Sequence, residues 1–316
     1  MQIKSATVFG ASGFLGRYVV RRLAADGVRI RAAVRDPEGA GFLKPMGDVG
    51  QVVPIQANVR HEGSVRRAVA GADVVINLVG LLYQGGPQRF DAVHVRGAHL
   101  IAKAAAEAGA RRLLQVSAIG ADAESESTYA RTKAEGEAAA RAAFPDVTIV
   151  RPSIVFGPED DFFNRFGWLA TLLPVLPLIG GGETRFQPVY VADVAEGMAR
   201  LLGDDASKGA VYEFGGPTVY SFKELLEYIL AVTGRKRLLL PLPFALAKLE
   251  AFFLQLLPKP LLTMDQVELL KVDNLPGGEC PGLADLGVLP HTVEAIVPSY
   301  LYRYRRGGRL QPSRLG

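Results

Sequence analysis

The sequence predicts an α/β protein built on a doubly wound parallel sheet. Short β-rich runs alternate with helical periodicity through the first half. Several of these runs, such as Val74-Val-Ile-Asn-Leu-Val79, are apolar nearly throughout, as strands are when helices cover both faces of a parallel sheet. The third observation is the stretch GASGFLGRYVV, Gly10 to Val20, which sets a glycine at every third position between the first run and the first amphipathic segment.

In chain order, strands are expected at Ala6–Phe9, Arg29–Val34, Val52–Ile55, Val74–Leu78, Leu113–Ser117 and Thr148–Arg151. Helices are expected at Gly13–Ala25, Gly63–Ala70, Phe90–Ala108 and Ser127–Ala143. This is the Rossmann pattern. The second half is richer in proline and leucine and reads as a smaller, discontinuous C-terminal lid domain. The expected division is 1–155 with about 186–215 for the nucleotide-binding domain, and about 156–185 with 216–316 for the other. Helix Val191–Leu202 returns to the first domain, and Ser221–Val232 opens on a capping box of Ser221 and Glu224. The uncharged stretch Phe166 to Gly182 carries Pro174 and Pro177 and ends in three glycines, so a loop is expected rather than a membrane span. Segment Phe244–Leu257 is too short to span a bilayer; it suits either a core helix or one lying on a membrane surface or partner.

Composition narrows the function classes. The 316 residues are 49% hydrophobic and 22% charged, which excludes a disordered chain. Cys280 is the single cysteine, so no disulfide framework or cysteine zinc cluster is possible. The net charge is +4, with Arg303, Arg305, Arg306, Arg309 and Arg314 crowding the end as a solvated tail or a contact for anionic lipid or an acidic partner. No aromatic and basic interleaving suggests nucleic acid. The first strand begins too early to leave room for a signal peptide. His61, His94, His99 and His291 lack metal-ligand spacing, and Glu159, Asp160 and Asp161 read as a solvated loop cluster.

Gly10, Gly13 and Gly16 form G-x-x-G-x-x-G: a tight turn, close approach to a pyrophosphate, and close helix packing, with the helix N-terminus facing the phosphates. Ser12, Phe14 and Leu15 belong to the same cradle, and Arg17 follows it as a second charge or a solvated helix residue. Arg35, directly after the second strand, suits the 2′-phosphate of NADP(H); its neighbour Asp36 would favour NAD(H) if turned inward. Asn58 with Val59, Leu78 with Gly80, and Pro152 follow later strands as further cofactor contacts. Tyr129 and Lys133 share one helix face, where the lysine can bond the nicotinamide ribose and lower the tyrosine pKa for acid–base work. Ser117, at a strand end twelve residues before Tyr129, can polarise a substrate oxygen.

These elements, with Asn77-Leu-Val-Gly80 and Arg151-Pro-Ser-Ile-Val-Phe-Gly-Pro158, resemble the extended and atypical short-chain dehydrogenase/reductase superfamily. PMGDVGQ (Pro45–Gln51), FGPEDDFFN (Phe156–Asn164), QPVYVADV (Gln187–Val194) and PLPF (Pro241–Phe244) more narrowly resemble the NADPH-binding accessory subunit family (alpha subcomplex subunit 9) of respiratory complex I. That resemblance implies a tightly held, mainly structural NADPH and docking at the junction of the peripheral and membrane arms. It also implies a peripheral site on the cytoplasmic face of a bacterial inner membrane, or on the matrix side if mitochondrial. His94 stands where extended members usually have the Asn that helps hold the lysine and a relay water, which counts against an efficient proton relay. The alternative is a free-standing NADP-dependent reductase or epimerase acting on a carbonyl compound such as an isoprenoid or quinone precursor.

Overall fold

The computed structural model describes residues 3–257 and 260–307. Arg309 and Arg314 of the basic tail therefore lie outside the described residues. Strands β1 (Ser5–Phe9), β2 (Arg29–Val34), β3 (Val52–Gln56), β4 (Val74–Asn77), β5 (Arg112–Val116) and β6 (Thr148–Pro152) alternate with helices α1 (Phe14–Ala25), α2 (Glu62–Val69), α3 (Arg96–Glu107) and α4 (Thr128–Ala143). The sheet runs, from one edge, Val211–Phe214, β6, β5, β4, β1, β2, β3, and every pairing is parallel. The order reverses between β1 and β4, the place where doubly wound sheets open a crevice at their C-terminal edge. The fold class read from the sequence is the one observed.

The chain forms two compact units. One comprises the chain to Pro152 with Ala192–Phe214 and Gly278–Val288. The other comprises Ser153–Val191, Gly215–Gly277 and the residues from Leu289 on. The first is built on the sheet, with Val74, Val75, Ile76, Leu113 and Leu114 almost fully buried in it. The second packs around Phe156, Phe163, Phe222, Leu225 and Ile229. Its helix Phe222–Thr233 starts on the expected capping box: Ser221 Oγ accepts from Glu224 N, and Glu224 accepts from Ser221 N at 2.7 Å.

Several expectations are corrected. The expected helix Phe90–Ala108 opens as a π turn, Asp91–Val95, before α3. Packing makes room for this turn, because Gly136 on α4 lies so close that a methyl group there would sit 2.2 Å from His94 O. Phe166 to Gly182 is no loop: helix α5 (Phe162–Leu172) precedes a strand, Val175–Ile179, paired in parallel with Leu238–Leu242. Asp160 is buried, not solvated. Its carboxylate accepts from the backbone N–H groups of Gly157, Phe163 and Asn164 and from Tyr300 Oη at 2.5 Å, while burial pushes its pKa up. Arg303 stays exposed but donates to the Pro158 carbonyl, and Arg305 is half-buried and donates to the Val232 carbonyl.

These contacts explain why two of the distinctive motifs hold their residues. In FGPEDDFFN the aspartate anchors its own loop. In PMGDVGQ, Gln51 accepts from Asp48 N and donates to the Ala24 and Val28 carbonyls, tying the loop to the end of α1.

Candidate functional site

Gly10 ends β1 with φ +78°, a conformation that disfavours any side chain, and its N–H donates to Ala33 O on the neighbouring strand. The loop then folds so tightly that a methyl group at Gly16 would lie 2.2 Å from Gly10 O and 2.7 Å from Ala11 O. Gly16 is therefore what lets α1 start against the loop. No side chain caps this helix and no acidic residue occupies its first turn, so while the Gly13 N–H is spent on Gly10 O, the N–H groups of Phe14 and Leu15 are set up for an anion. Ser12 and Gly13 also offer carbonyls to Arg17, which stacks over the Phe42 ring at 5.0 Å. The chain after β4 closes the other side: Leu78 N donates to Phe9 O, and the Leu78 and Val79 backbone lies against Gly10.

Arg35 follows β2 at the exposed edge of a groove of about 550 Å³, shared with Gln56, Ala57, Asn58, His61, Ser64 and Arg67. Asp36 is engaged differently, capping a turn by accepting from Gly39 N at 3.1 Å. Asn58 bonds locally: its side-chain amide oxygen accepts from Arg60 N, and its backbone N–H donates to Ser64 Oγ. The Val59 side chain is buried against Gly97, so only its main chain is placed to meet a ligand. Ser64 and Arg67 are missed by the sequence reading, which weighs His61 only as a metal ligand, although the three-residue spacing from the N-cap His61 into α2 is a readable signal.

At the other end of the crevice Lys133, His94 and Ser117 are buried and Tyr129 is half-buried. Lys133 Nζ donates to Val116 O at 3.4 Å and sits 5.8 Å from the Tyr129 ring centre; a methyl group at Gly80 would lie 3.3 Å from it. Burial pushes the Lys133 amine down to about 8, with Glu137 one turn on pulling the other way. Glu137 is itself held by Arg151 through two hydrogen bonds of 2.9 and 2.7 Å. Lys133 thus joins Tyr129, Gly80 and the strand end that carries Ser117. Ser117 Oγ is buried and makes no hydrogen bond within the described protein, an orphan acceptor and donor that a bound polar ligand would satisfy. Pro152 lies beside this strand end, its carbonyl accepting from Ile119 N.

His94 is the residue whose role sequence reasoning left undefined. It is buried, stacked on Phe90 at 5.1 Å and edge-on to Tyr129 at 5.5 Å. Its Nε2 accepts from Leu81 N at 3.0 Å, which puts the proton on Nδ1, 3.1 Å from Thr132 Oγ1. Burial, reinforced by the Lys133 charge, pushes its pKa down to about 3. His94 is thus a neutral brace between the loop after β4 and helix α4, with both nitrogens used.

The orphaned Ser117 hydroxyl, the uncapped helix above three close-packed glycines and the cationic groove fit a dinucleotide laid along the C-terminal edge of the sheet. The residues around Gly10–Gly16 would hold its pyrophosphate, and Lys133 and Tyr129 would meet the nicotinamide half.

Comparison with known proteins agrees with this geometry. Residues 10–171 match the NAD(P)H-binding family. The chain is 40% identical over 315 residues to the mitochondrial NADH dehydrogenase [ubiquinone] 1 alpha subcomplex subunit 9 of Arabidopsis thaliana, covering 96% of this chain and 78% of that protein. It is 39% identical to the Mus musculus subunit of the same name, covering 95% and 80%. Its fold superposes on a dTDP-glucose 4,6-dehydratase from Streptomyces venezuelae, solved with NAD bound, with a TM-score of 0.74 at 21% identity, covering 96% of this chain and 98% of that one. With identity of this level along nearly its whole length, on a fold that carries a dinucleotide cradle, the chain belongs to the family of the complex I alpha subcomplex subunit 9, itself NAD(P)H-binding.

Proposed function

We propose that this protein is an accessory subunit of an NADH:quinone oxidoreductase that holds NADPH as a structural ligand. The observation that carries the reading is the near-full-length likeness to the alpha subcomplex subunit 9 proteins, combined with a complete dinucleotide cradle. Choice of NADPH over NADH rests on Arg35 and Arg67 sharing one groove while Asp36 is spent on its own turn. A structural role for the cofactor is supported by His94, which uses both ring nitrogens for bracing and has none left to pass a proton. The docking site is the junction of the peripheral and membrane arms, on the cytoplasmic face of a bacterial inner membrane or the matrix side of a mitochondrial one. Bound NADPH then stabilises the fold by mass action. Purification of the tagged chain from detergent-solubilised membranes tests this. Recovery with NADH:quinone oxidoreductase subunits and about one NADPH per chain supports it; recovery alone in the soluble fraction refutes it.

A second reading is favoured by one observation, the orphaned Ser117 hydroxyl next to the Lys133 and Tyr129 pair. In a reductase the nicotinamide supplies hydride to a substrate carbonyl. Ser117 would then hold the carbonyl oxygen and Tyr129 would deliver the proton, with Lys133 lowering the cost of the tyrosinate left behind. NADPH fluorescence followed with candidate carbonyl compounds discriminates the two. Decay that disappears in Tyr129→Phe establishes the reductase; no decay with any candidate leaves the structural role.

A further inference from the structure

Helix α4 buries a carboxylate that neither proposed function uses. Tyr129, Lys133 and Glu137 recur every fourth residue along it, so all three share one face. Glu137 is 4% exposed. Its carboxylate accepts from Arg151 Nε and Nη2 at 2.9 and 2.7 Å, a bidentate pair that fixes its orientation. Arg151 lies on β6 directly opposite Glu213 of the strand Val211–Phe214, and its Nη1 is 3.6 Å from that second carboxylate. Charges of alternating sign thus run from Lys133 through Glu137 and Arg151 to Glu213 at the edge of the sheet.

Stability alone gives little reason for this series. A buried ion pair adds little over well-packed apolar side chains of similar volume. What an acid at position 137 supplies is negative charge one helical turn from Lys133. That amine is short of partners: it is buried, forms no ion pair among the described residues and spends one donor on Val116 O at 3.4 Å. Its remaining donors are left for a ligand at the strand end that carries the unspent Ser117 hydroxyl. Burial pushes the amine down to about 8, and Glu137 is the charge that pulls it back up. The other neighbours offer no substitute. His94, on the π turn packed against α4, is neutral and uses both ring nitrogens elsewhere, and Ser117 after β5 is uncharged. Tyr129 precedes Lys133 on the same helix, and Arg151 and Glu213 face the lysine only from behind Glu137.

We propose that Glu137 is a positioning residue for the dinucleotide: clamped by Arg151, it keeps the Lys133 amine charged and facing the nicotinamide ribose. Glu137 touches no ligand itself and acts through Lys133. Arg151 sets the strength of the effect, because its cation orients the carboxylate and offsets part of its pull. Removing Glu137 abolishes the pull, whereas removing Arg151 leaves the whole of it to Lys133. The inference rests on the reading that NADPH occupies this crevice, and it holds whether the cofactor is kept or consumed.

Carbon NMR of the full chain, isotope-labelled at lysine Cε, follows the Lys133 amine through pH, its signal assigned by its loss in Lys133→Met. Fluorescence titrations with NADPH and NADH run in parallel. In the wild-type protein the amine titrates at about 8, and affinity for both dinucleotides falls as pH rises through that value. Glu137→Gln is expected to lower the midpoint by about one unit or more. Both dinucleotides then bind about eightfold more weakly at about pH 8.5 and almost as in the wild type at about pH 6, where the amine is charged in either protein. Arg151→Gln is expected to move the midpoint the other way, upward. A merely structural pair predicts that both variants weaken binding alike, with no recovery at low pH. That result, or an unchanged midpoint in Glu137→Gln, overturns the proposal. If Glu137→Gln does not fold, Arg151→Gln decides: an upward shift supports the proposal, and no shift or a downward one overturns it. A wild-type chain that binds neither dinucleotide refutes the functional reading and this one with it; binding of both with unmoved midpoints refutes this one alone.

Discussion

The two ends of the dinucleotide crevice are built on opposite principles. At the end proposed for the adenosine, Arg35 and Arg67 border an open groove, charged and exposed to water. At the nicotinamide end Lys133 and His94 are buried, the first pushed down to about 8 and the second to about 3, and Ser117 keeps an unspent hydroxyl. The contrast teaches where each property resides. On the proposed reading, discrimination between dinucleotides depends on charge at the open end, where a lost contact weakens one ligand and spares the other, and reactivity depends on proton traffic at the closed end, where His94 is braced through both ring nitrogens.

The largest effect is expected where the two ends share a support. Gly16→Val would drive a side chain into the Gly10 and Ala11 carbonyls and separate α1 from the loop. Overpacking of this kind costs about 3 kcal/mol or more, and NADPH and NADH titrations of the variant should both show cofactor binding abolished or a hundredfold weaker, roughly. Intermediate and one-sided is the expectation for Arg35→Ala. Loss of a charge-assisted contact to the 2′-phosphate should weaken NADPH by about tenfold to a hundredfold and leave NADH unchanged. Equal loss for both ligands would contradict the division between the ends.

The closed end should announce itself through pH. The folded protein refuses the His94 proton down to about pH 3, whereas an unfolded histidine takes it near 6.5. The unfolded state therefore binds the extra proton between those values, and stability falls as pH drops from 6.5 to 3. His94→Gln keeps an acceptor and a donor without the titration, so its denaturation midpoints should decline more shallowly, by about 1.4 kcal/mol per pH unit in that window. The smallest effect belongs to Thr132→Val, which removes the hydroxyl at Nδ1 and should cost about 1 kcal/mol at neutral pH. A denaturation curve indistinguishable from the wild type would mean the brace does not rest on that bond.

Much of the fold was legible because parallel sheets announce themselves. Val74, Val75 and Ile76 are an apolar run buried on both sides, and the glycine spacing needs a strand before it and a helix after it. The seventh strand, Val211–Phe214, escaped notice because four mixed residues carry no periodicity of their own; only pairing with β6 makes them a strand. The C-terminal part of Phe162–Leu172 and all of Val175–Ile179 were hidden for a related reason, since the uncharged run from Phe166 with its prolines gives no polar face from which to read a period. In the site, the candidates that follow strand ends could be listed from sequence, as parallel topology gathers those ends on one edge. What could not be read was environment. Three acidic residues in a row do not reveal that Asp160 alone finds four donors, and His94 becomes a brace only once Leu81 and Thr132 are brought to its two nitrogens. Likewise the apolar composition of the helix Phe244–Leu254 was plain, but only tertiary packing decides which way its leucines face.

The central claim is that NADPH is held by this protein and not consumed by it. The most direct measurement loads the chain with NADPH deuterated at both C4 positions and lets the purified oxidoreductase turn over NADH and quinone. The dinucleotide is then extracted for mass spectrometry. The account predicts reduced NADPH with its deuterium intact; recovery of NADP⁺, or of NADPH that has lost label, would contradict it.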